Sequence, residues 1–411
     1  MQPNHEIKSQ EDLPKHFGSS LKLEILDLEQ MENLLKMDVP PEVQEDALNR
    51  NLLSFSQEFV QGTKEVTFDS IYIKHIFLIS FLTNLSELSL QNNKISDISS
   101  ISKLKNLKKL NLSSNNIEDI SALQSLTDLT HLYLYDNKLT SYTLALPNLV
   151  YLSLSYNKLQ DKSGLQYSPK LERLYLSKTE STDLHTISQL FGLKVLYLSD
   201  NNITEISRLS NFVDLLILKL GNNNQLQNIE PLKFCTQLTE LNISRTSIAD
   251  IWPLQFMKNL QTLNMNNTQI VDLYPLQYLQ ELENITAYDA CILDVSPLSK
   301  LTQLKDLDFR KNNITNGETL KHHNNFSKYD FSDQQVPTTD ELKFYSKILK
   351  VHSSHKQIRN IMNDNKITRL RTSLILKKNV VETIIDNYAR KMNTQLELFA
   401  YFIQSSNTQL Q

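Results

Sequence analysis

Glycine and tryptophan are nearly missing from this chain: 411 residues carry six glycines and one tryptophan. So little glycine leaves no loop that could cradle a phosphate, and neither a Cys-x-x-Cys pair nor a His-Glu-x-x-His helix occurs. Cysteine is almost as scarce, with Cys235 and Cys291 alone, so no disulfide framework is expected. Charge of one sign is lacking too. A formal net charge of -4 builds no field that selects nucleic acid or a membrane. No long apolar run is present either. The most apolar stretch, Ile71 to Leu82, is too short for a bilayer and contains Lys74 and His75. The first residues, Met1-Gln2-Pro3-Asn4-His5-Glu6, do not lead from a basic stretch into an apolar one. These absences point to a reduced, soluble, cytoplasmic protein that is not an enzyme and holds no cofactor and no metal. The histidine pairs His322/His323 and His352/His355 lack neighbouring Cys or carboxylate ligands and read as solvated side chains.

What the chain has in quantity is leucine, asparagine and serine, arranged with a beat. Leu85, Leu88, Leu90, Asn93, Ile95, Asp97, Ile98, Ile101 and Leu104 recur 22 residues on as Leu107, Leu110, Leu112, Asn115, Ile117, Asp119, Ile120, Leu123 and Leu126. The register returns at Leu193, Leu238, Leu260, Leu282 and Leu304, and a degenerate first copy begins near Val66. Two repeats change length: 20 residues from Leu129 and 23 from Leu215. A fixed period of this length marks a stacked repeat architecture, here of about twelve repeats.

Each position in the repeat has a physical job. The Leu-x-Leu step has period two, so Leu88 and Leu90 point inward from a short strand while Glu87, Ser89 and Gln91 face outward. A single strand cannot bury its apolar face, so successive strands stack into a parallel sheet. After each strand the chain turns inward and leaves backbone amides unpaired, and an Asn carboxamide can both donate to and accept from them. This predicts a ladder through Asn93, Asn115, Asn137, Asn157, Asn201, Asn223 and Asn312. Thr179, Thr246 and Thr268 replace it in part, whereas Ala290 cannot. In the returning half, an acidic residue such as Asp250 stands where it can cap a tight helical turn. Pro231, Pro253, Pro275 and Pro297 fall in the first turn, where a missing N–H breaks no bond. The convex side is therefore expected to be 3₁₀ or irregular.

The repeats, with segments such as Asp250-Ile251-Trp252-Pro253-Leu254 and Asp294-Val295-Ser296-Pro297-Leu298, resemble the short leucine-rich repeat class of bacterial internalins and a protein phosphatase-1 regulatory subunit. The resemblance implies an α/β solenoid: a curved right-handed superhelix with a parallel concave sheet that serves as a protein-binding scaffold. It covers residues 63–323. No signal peptide, surface-anchoring motif or phosphatase-regulator terminal cap is visible, so neither of those specific roles is carried over.

Flanking that domain, residues 1–62 form an acidic, partly helical cap or tail. Residues 324–338 read as a linker. Residues 339–411 read as a basic helical region, with an apolar stripe through Leu370, Leu374, Val381, Ile384, Tyr388 and Met392 that suggests a helical hairpin packed on the solenoid end or a dimer contact.

The outward-facing positions change character along the chain. They are ordinary and polar in the first repeats, then become His131, Tyr133, Tyr135, Tyr151, Tyr156, Arg173, Tyr175, Lys178, Val195, Tyr197 and Ile217. Tyr and Arg dominate binding energy at protein interfaces. Tyrosine also suits strands for its own packing. The apolar Val195 and Ile217 at outward positions distinguish the group, because they gain nothing there unless something covers them. The leading reading is a scaffold or adaptor that binds a protein or peptide on the concave face of the middle repeats, with no small-molecule substrate, nucleic acid or membrane involved. A second reading is a cytoskeletal or structural protein acting through its basic C-terminal helices. A third is a phosphatase regulatory subunit, against which the mostly neutral concave face argues.

Overall fold

The computed structural model describes residues 62–334 apart from 71, 77, 78, 81, 183, 321, 324 and 325. The expected N-terminal cap, the C-terminal hairpin and its dimer contact lie outside the described residues. The chain divides into two compact units at Asn201/Asn202.

In the first unit seven short strands follow one another: β1 (Glu65–Thr67), β2 (Glu87–Ser89), β3 (Lys109–Asn111), β4 (His131–Tyr133), β5 (Tyr151–Ser153), β6 (Arg173–Tyr175) and β7 (Val195–Tyr197). Each pairs in parallel with the next in sequence, and the register steps by one repeat: Leu88 beside Leu110, then Leu132, Leu152, Leu174 and Leu196. The second unit repeats the plan with β8 (Ile217–Lys219), β9 (Glu240–Asn242), β10 (Thr262–Asn264), β11 (Asn284–Thr286), β12 (Asp306–Asp308) and β13 (Lys328–Asp330), again parallel and in sequence order. Each unit is thus a solenoid with strands on one side and 3₁₀ turns of three to five residues on the other, as the repeat predicted.

The repeat's leucines form the core. In one turn of the solenoid Leu107, Leu110, Leu112, Ile117, Leu123 and Leu126 are all fully buried. Each contributes about 1.5–3 kcal/mol relative to an exposed side chain. Because the strands are three residues long, most of the backbone must be satisfied outside regular pairing, and two devices do this. The first is the acidic cap: the amides of Ser99, Ser121, Trp252, Tyr274 and Ser296 donate to Asp97, Asp119, Asp250, Asp272 and Asp294 at 2.7–2.8 Å. Pro231, Pro253, Pro275 and Pro297 open their turns at the first or second position.

The second device is the asparagine ladder. Asn115 accepts from the Ile95 amide at 3.0 Å and donates to the Leu90 and Leu112 carbonyls at 2.9 and 3.0 Å. Asn93, Asn137, Asn157 and Asn201 do the same in the first unit. In the second unit Asn223 and Asn312 accept from the Ile203 and Ile292 amides. The threonine rungs keep the donor half: Thr179, Thr246 and Thr268 give their hydroxyls to Leu176, Ile243 and Met265. Ala290 supplies no rung, and Asn312 of the next repeat reaches back to the Ala287 carbonyl at 2.7 Å. The residue before each rung has left-handed backbone, with φ between 52° and 62° at Asn92, Ser114, Asp136, Tyr156, Lys178, Asp200, Asn222, Arg245, Asn267, Asp289 and Lys311. None is glycine, so the ladder and the cross-repeat bonds offset a cost of about 1–2 kcal/mol at each turn.

One boundary differs from the sequence reading. Part of the expected linker 324–338 continues the solenoid: β13 pairs with β12, and Gln334 accepts from the Ile314 amide and donates to the Phe309 carbonyl at 2.9 and 2.8 Å. Gln334 stands 22 residues after Asn312, with Phe331 likewise beyond Phe309. Aromatic residues replace the leucines here, which hid the beat.

The irregular repeats near 140–170 have a local solution. Ser141 and Asp161 form a parallel bridge on the returning side, and Tyr142 fills the shortened loop as a fully buried side chain. Gly164 lies so close that an added Cβ would sit 2.7 Å from the Leu144 and Thr143 backbone. Among the described residues no helix is long and apolar enough to cross a membrane.

Candidate protein-interaction surface

On β4 to β7 the outward side chains fall into two rows. Pairing aligns His131, Tyr151, Arg173 and Val195 in one row, and Tyr133, Ser153, Tyr175 and Tyr197 in the other. The rings join the rows diagonally. Tyr133 and Tyr151 have centroids 4.5 Å apart, Tyr151 and Tyr175 5.1 Å, and Tyr175 and Tyr197 4.6 Å. His131 stacks on Tyr151 at 5.9 Å. Such contacts each add about 0.5–1.5 kcal/mol beyond area burial.

This continuity changes which residues are accessible. Tyr133, Tyr151 and Tyr175 are 3, 3 and 9% exposed, Val195 is buried as well, and Tyr197 and His131 are half-buried. The expectation that Val195 lies uncovered at an outward position does not hold. Arg173 is exposed, and no ion pair joins it to another described residue. No carboxylate occupies an outward strand position from β4 to β7. At the borders the charges are paired: Lys109 with Glu87 at 2.6 Å and Lys194 with Glu172 at 3.0 Å.

Burial, with the proximity of the Tyr175 phenol as a lesser cause, pushes the Tyr133 and Tyr151 phenols above the ordinary tyrosine value. They are neutral hydrogen-bonding groups at any working pH. Burial and the nearby Lys109 ammonium lower the His131 pKa, so the imidazole is held neutral. The Thr130 hydroxyl lies 2.9 Å from its Nδ1. The described residues of this surface therefore present an aromatic floor beside the exposed Arg173 guanidinium.

Three expected site residues sit elsewhere than on strands. Tyr135 follows β4, and Tyr156 and Lys178 occupy the left-handed turn positions. They form a second cluster: Tyr135 against Tyr156 at 4.9 Å, with the Lys178 ammonium 4.8 Å from the Tyr156 ring. Ile217 lies on β8 of the second unit, half-buried and aligned with Glu240. In that unit the outward strand positions turn polar and then charged. The Asp308 carboxylate is buried, which disfavours its charge, but bonds from Arg310 at 2.6 and 2.8 Å hold its pKa below the usual range.

Comparison with known proteins follows from this geometry. A family model described as leucine-rich repeats in two copies matches residues 83–125, 105–146, 192–234 and 236–278, and a single-repeat model matches 145–165. An internalin (InlF) from Listeria monocytogenes is 26% identical with a TM-score of 0.55, over 73% of this chain and 92% of that one. The functional domain of InlJ from the same organism, which includes a cysteine ladder, is 25% identical with a TM-score of 0.56, over 62% of this chain and 55% of that one. A leucine-rich repeat protein of Leptospira interrogans shares the fold at 23% identity and a TM-score of 0.57, over 72% and 85%. No curated protein matches the sequence.

Proposed function

This chain is a leucine-rich repeat protein, and from that premise we propose that it is an interaction scaffold whose partner, a protein or peptide, docks on the outward face of β4 to β7. The observation that carries the reading is the unbroken ring ladder from His131 to Tyr197 beside the unpaired Arg173. A ring held between two others has little rotamer freedom left to lose, so binding to this floor costs little ordering entropy. Arg173 supplies a fork of donors to a carboxylate or carbonyl of the partner, and in an aromatic setting that bond is shielded from water. Tyr197 and His131, half-buried at the two ends of the ladder, are the rings with surface left to cover.

The likeness to internalin repeats supports an interaction scaffold in general. A localisation in the cytoplasm, suggested by composition, belongs to the same proposal.

The test uses Arg173→Glu and Tyr197→Ala in the full chain. Both leave the buried rings Tyr133, Tyr151 and Tyr175 in place, so circular dichroism should be unchanged. Partners identified by proximity labelling in the native cell should bind the wild type in purified form and lose at least about tenfold in affinity with either variant. Equal affinities for all three proteins would refute the surface.

A further inference from the structure

The second unit carries a different, outer surface that the scaffold reading leaves unused. Phe234, Phe256 and Tyr278 close three successive 3₁₀ turns, Glu230–Phe234, Trp252–Phe256 and Tyr274–Tyr278, at intervals of 22 residues. They are 49, 46 and 51% exposed. Rings placed at one position of consecutive repeats and left in water contribute nothing to the core, which Leu232, Leu254 and Leu276 of the same turns already fill. Tyr278 is also held in orientation. Its ring meets Tyr274 edge-on at 6.5 Å, and Tyr274 stacks on Trp252 at 6.3 Å with planes 3° apart.

Tyr278 lines a shallow groove of about 550 Å³. Half of the other lining residues are carboxamides: Gln237, Asn259, Gln261 and Gln280. The lining holds one cation, Lys258, and one carboxylate, Glu281, and the Lys258 ammonium stands 5.1 Å from the Tyr278 centroid. Asn259 donates to Gln237 at 3.3 Å, a bond that does not use the Gln237 amide hydrogens or the Asn259 oxygen.

We propose that this groove binds an uncharged oligosaccharide, stacked on the Tyr278 ring and hydrogen-bonded through its hydroxyls to the carboxamides. A hydroxyl is donor and acceptor at once, and so is a carboxamide, so sugar hydroxyls satisfy these side chains without any buried charge. The C–H face of a pyranose matches an exposed aromatic ring. A phosphate or nucleic-acid ligand needs several unbalanced cations, and the groove has one, balanced. An apolar peptide anchor needs a dry pocket, and Leu216 is the one aliphatic side chain in the lining. Phe256 and Phe234 continue the row of rings past the groove, which favours a chain of sugars over a single ring.

The experiment is ligand-observed saturation-transfer NMR, followed by calorimetry, on the full chain with cellohexaose, maltohexaose, chitohexaose and a heparin hexasaccharide. At least one neutral hexasaccharide should bind. Tyr278→Ala should weaken it about tenfold, and Gln261→Ala should weaken it several-fold. Tyr167→Ala, which removes an equally exposed ring from an outer turn of the first unit, should change nothing. Arg173→Glu should also leave it intact, which separates this site from the β4 to β7 face. Absence of transfer to every neutral sugar at millimolar concentration, binding of heparin alone, or undiminished binding by Tyr278→Ala with a normal dichroism spectrum would each overturn the proposal.

Discussion

Replacing Asn115 by Ala removes one rung of the ladder, and its cost follows from bond accounting. The Ile95 amide has the Asn115 oxygen as its partner at 3.0 Å, and no other described residue accepts from it. Left buried and unpaired, that N–H costs about 1–3 kcal/mol. The two carbonyls fare better. Leu90 O keeps the Asn93 amide and Leu112 O keeps the Asn137 amide, so each lost bond costs nearer to about 0.5 kcal/mol. The sum is about 2–4 kcal/mol. Asn115→Thr should cost less, because a threonine hydroxyl restores the bond to Leu112 O as Thr179 does to Leu176 O. Asn115→Asp should cost at least as much as Ala, since a carboxylate would face the two carbonyl oxygens. Urea unfolding followed by circular dichroism gives the ranking, and hydrogen exchange at Ile95 reports the site directly, which matters in a stack whose units can unfold separately. If Asn115→Ala proved no more destabilising than Glu118→Ala on the exposed surface, or if Thr and Ala were equivalent, the ladder would not have the role assigned to it.

Gly164→Ala should destabilise the first unit by about 1–3 kcal/mol, because the new methyl meets fixed Leu144 and Thr143 backbone rather than a side chain that can swing away; thermal unfolding checks it, and an unchanged midpoint would show that the loop yields. His131 has a pKa lowered in the fold by burial and by Lys109, so the unfolded chain takes up the proton first as pH falls. Its contribution is complete above the unfolded value of about 6.5 and declines below it. Going from about pH 7.5 to about 5.5 should therefore lower the unfolding midpoint of the wild type more than that of His131→Gln, and equal drops would contradict the assignment. Gln334→Ala should selectively raise hydrogen exchange at Ile314 and around β13 while leaving β8 to β11 unchanged, since the Gln334 carboxamide is the last rung among the described residues. The same exchange at Ile314 in both proteins would mean that residues 326–334 add nothing to the stack.

The ladder and the acid caps were legible because each needs one residue type at one place in a 22-residue frame. Asn115, Thr246 and Asp250 read correctly for that reason. Gln334 was missed because Phe326, Tyr329 and Phe331 stand where leucine was being counted, although a search for any apolar residue at that spacing would have found them. Tyr142 could not be found by spacing, since it fills a loop whose length departs from the frame. The candidate surface was half legible. The register that sets Tyr133, Tyr175 and Tyr197 in one row followed from the repeat.

By itself the sequence determined periodicity, register and the inward set, because a short strand that alternates sides has one way to bury leucines against its neighbours. Tertiary structure alone decided exposure. Whether an outward tyrosine meets water depends on rings one repeat away and one position along, a diagonal relation that Tyr151 makes with Tyr133 and Tyr175 and that no linear pattern encodes. Those diagonal contacts buried three of the tyrosines and Val195 was buried beside them, leaving Arg173 and parts of His131 and Tyr197 as what a partner can reach.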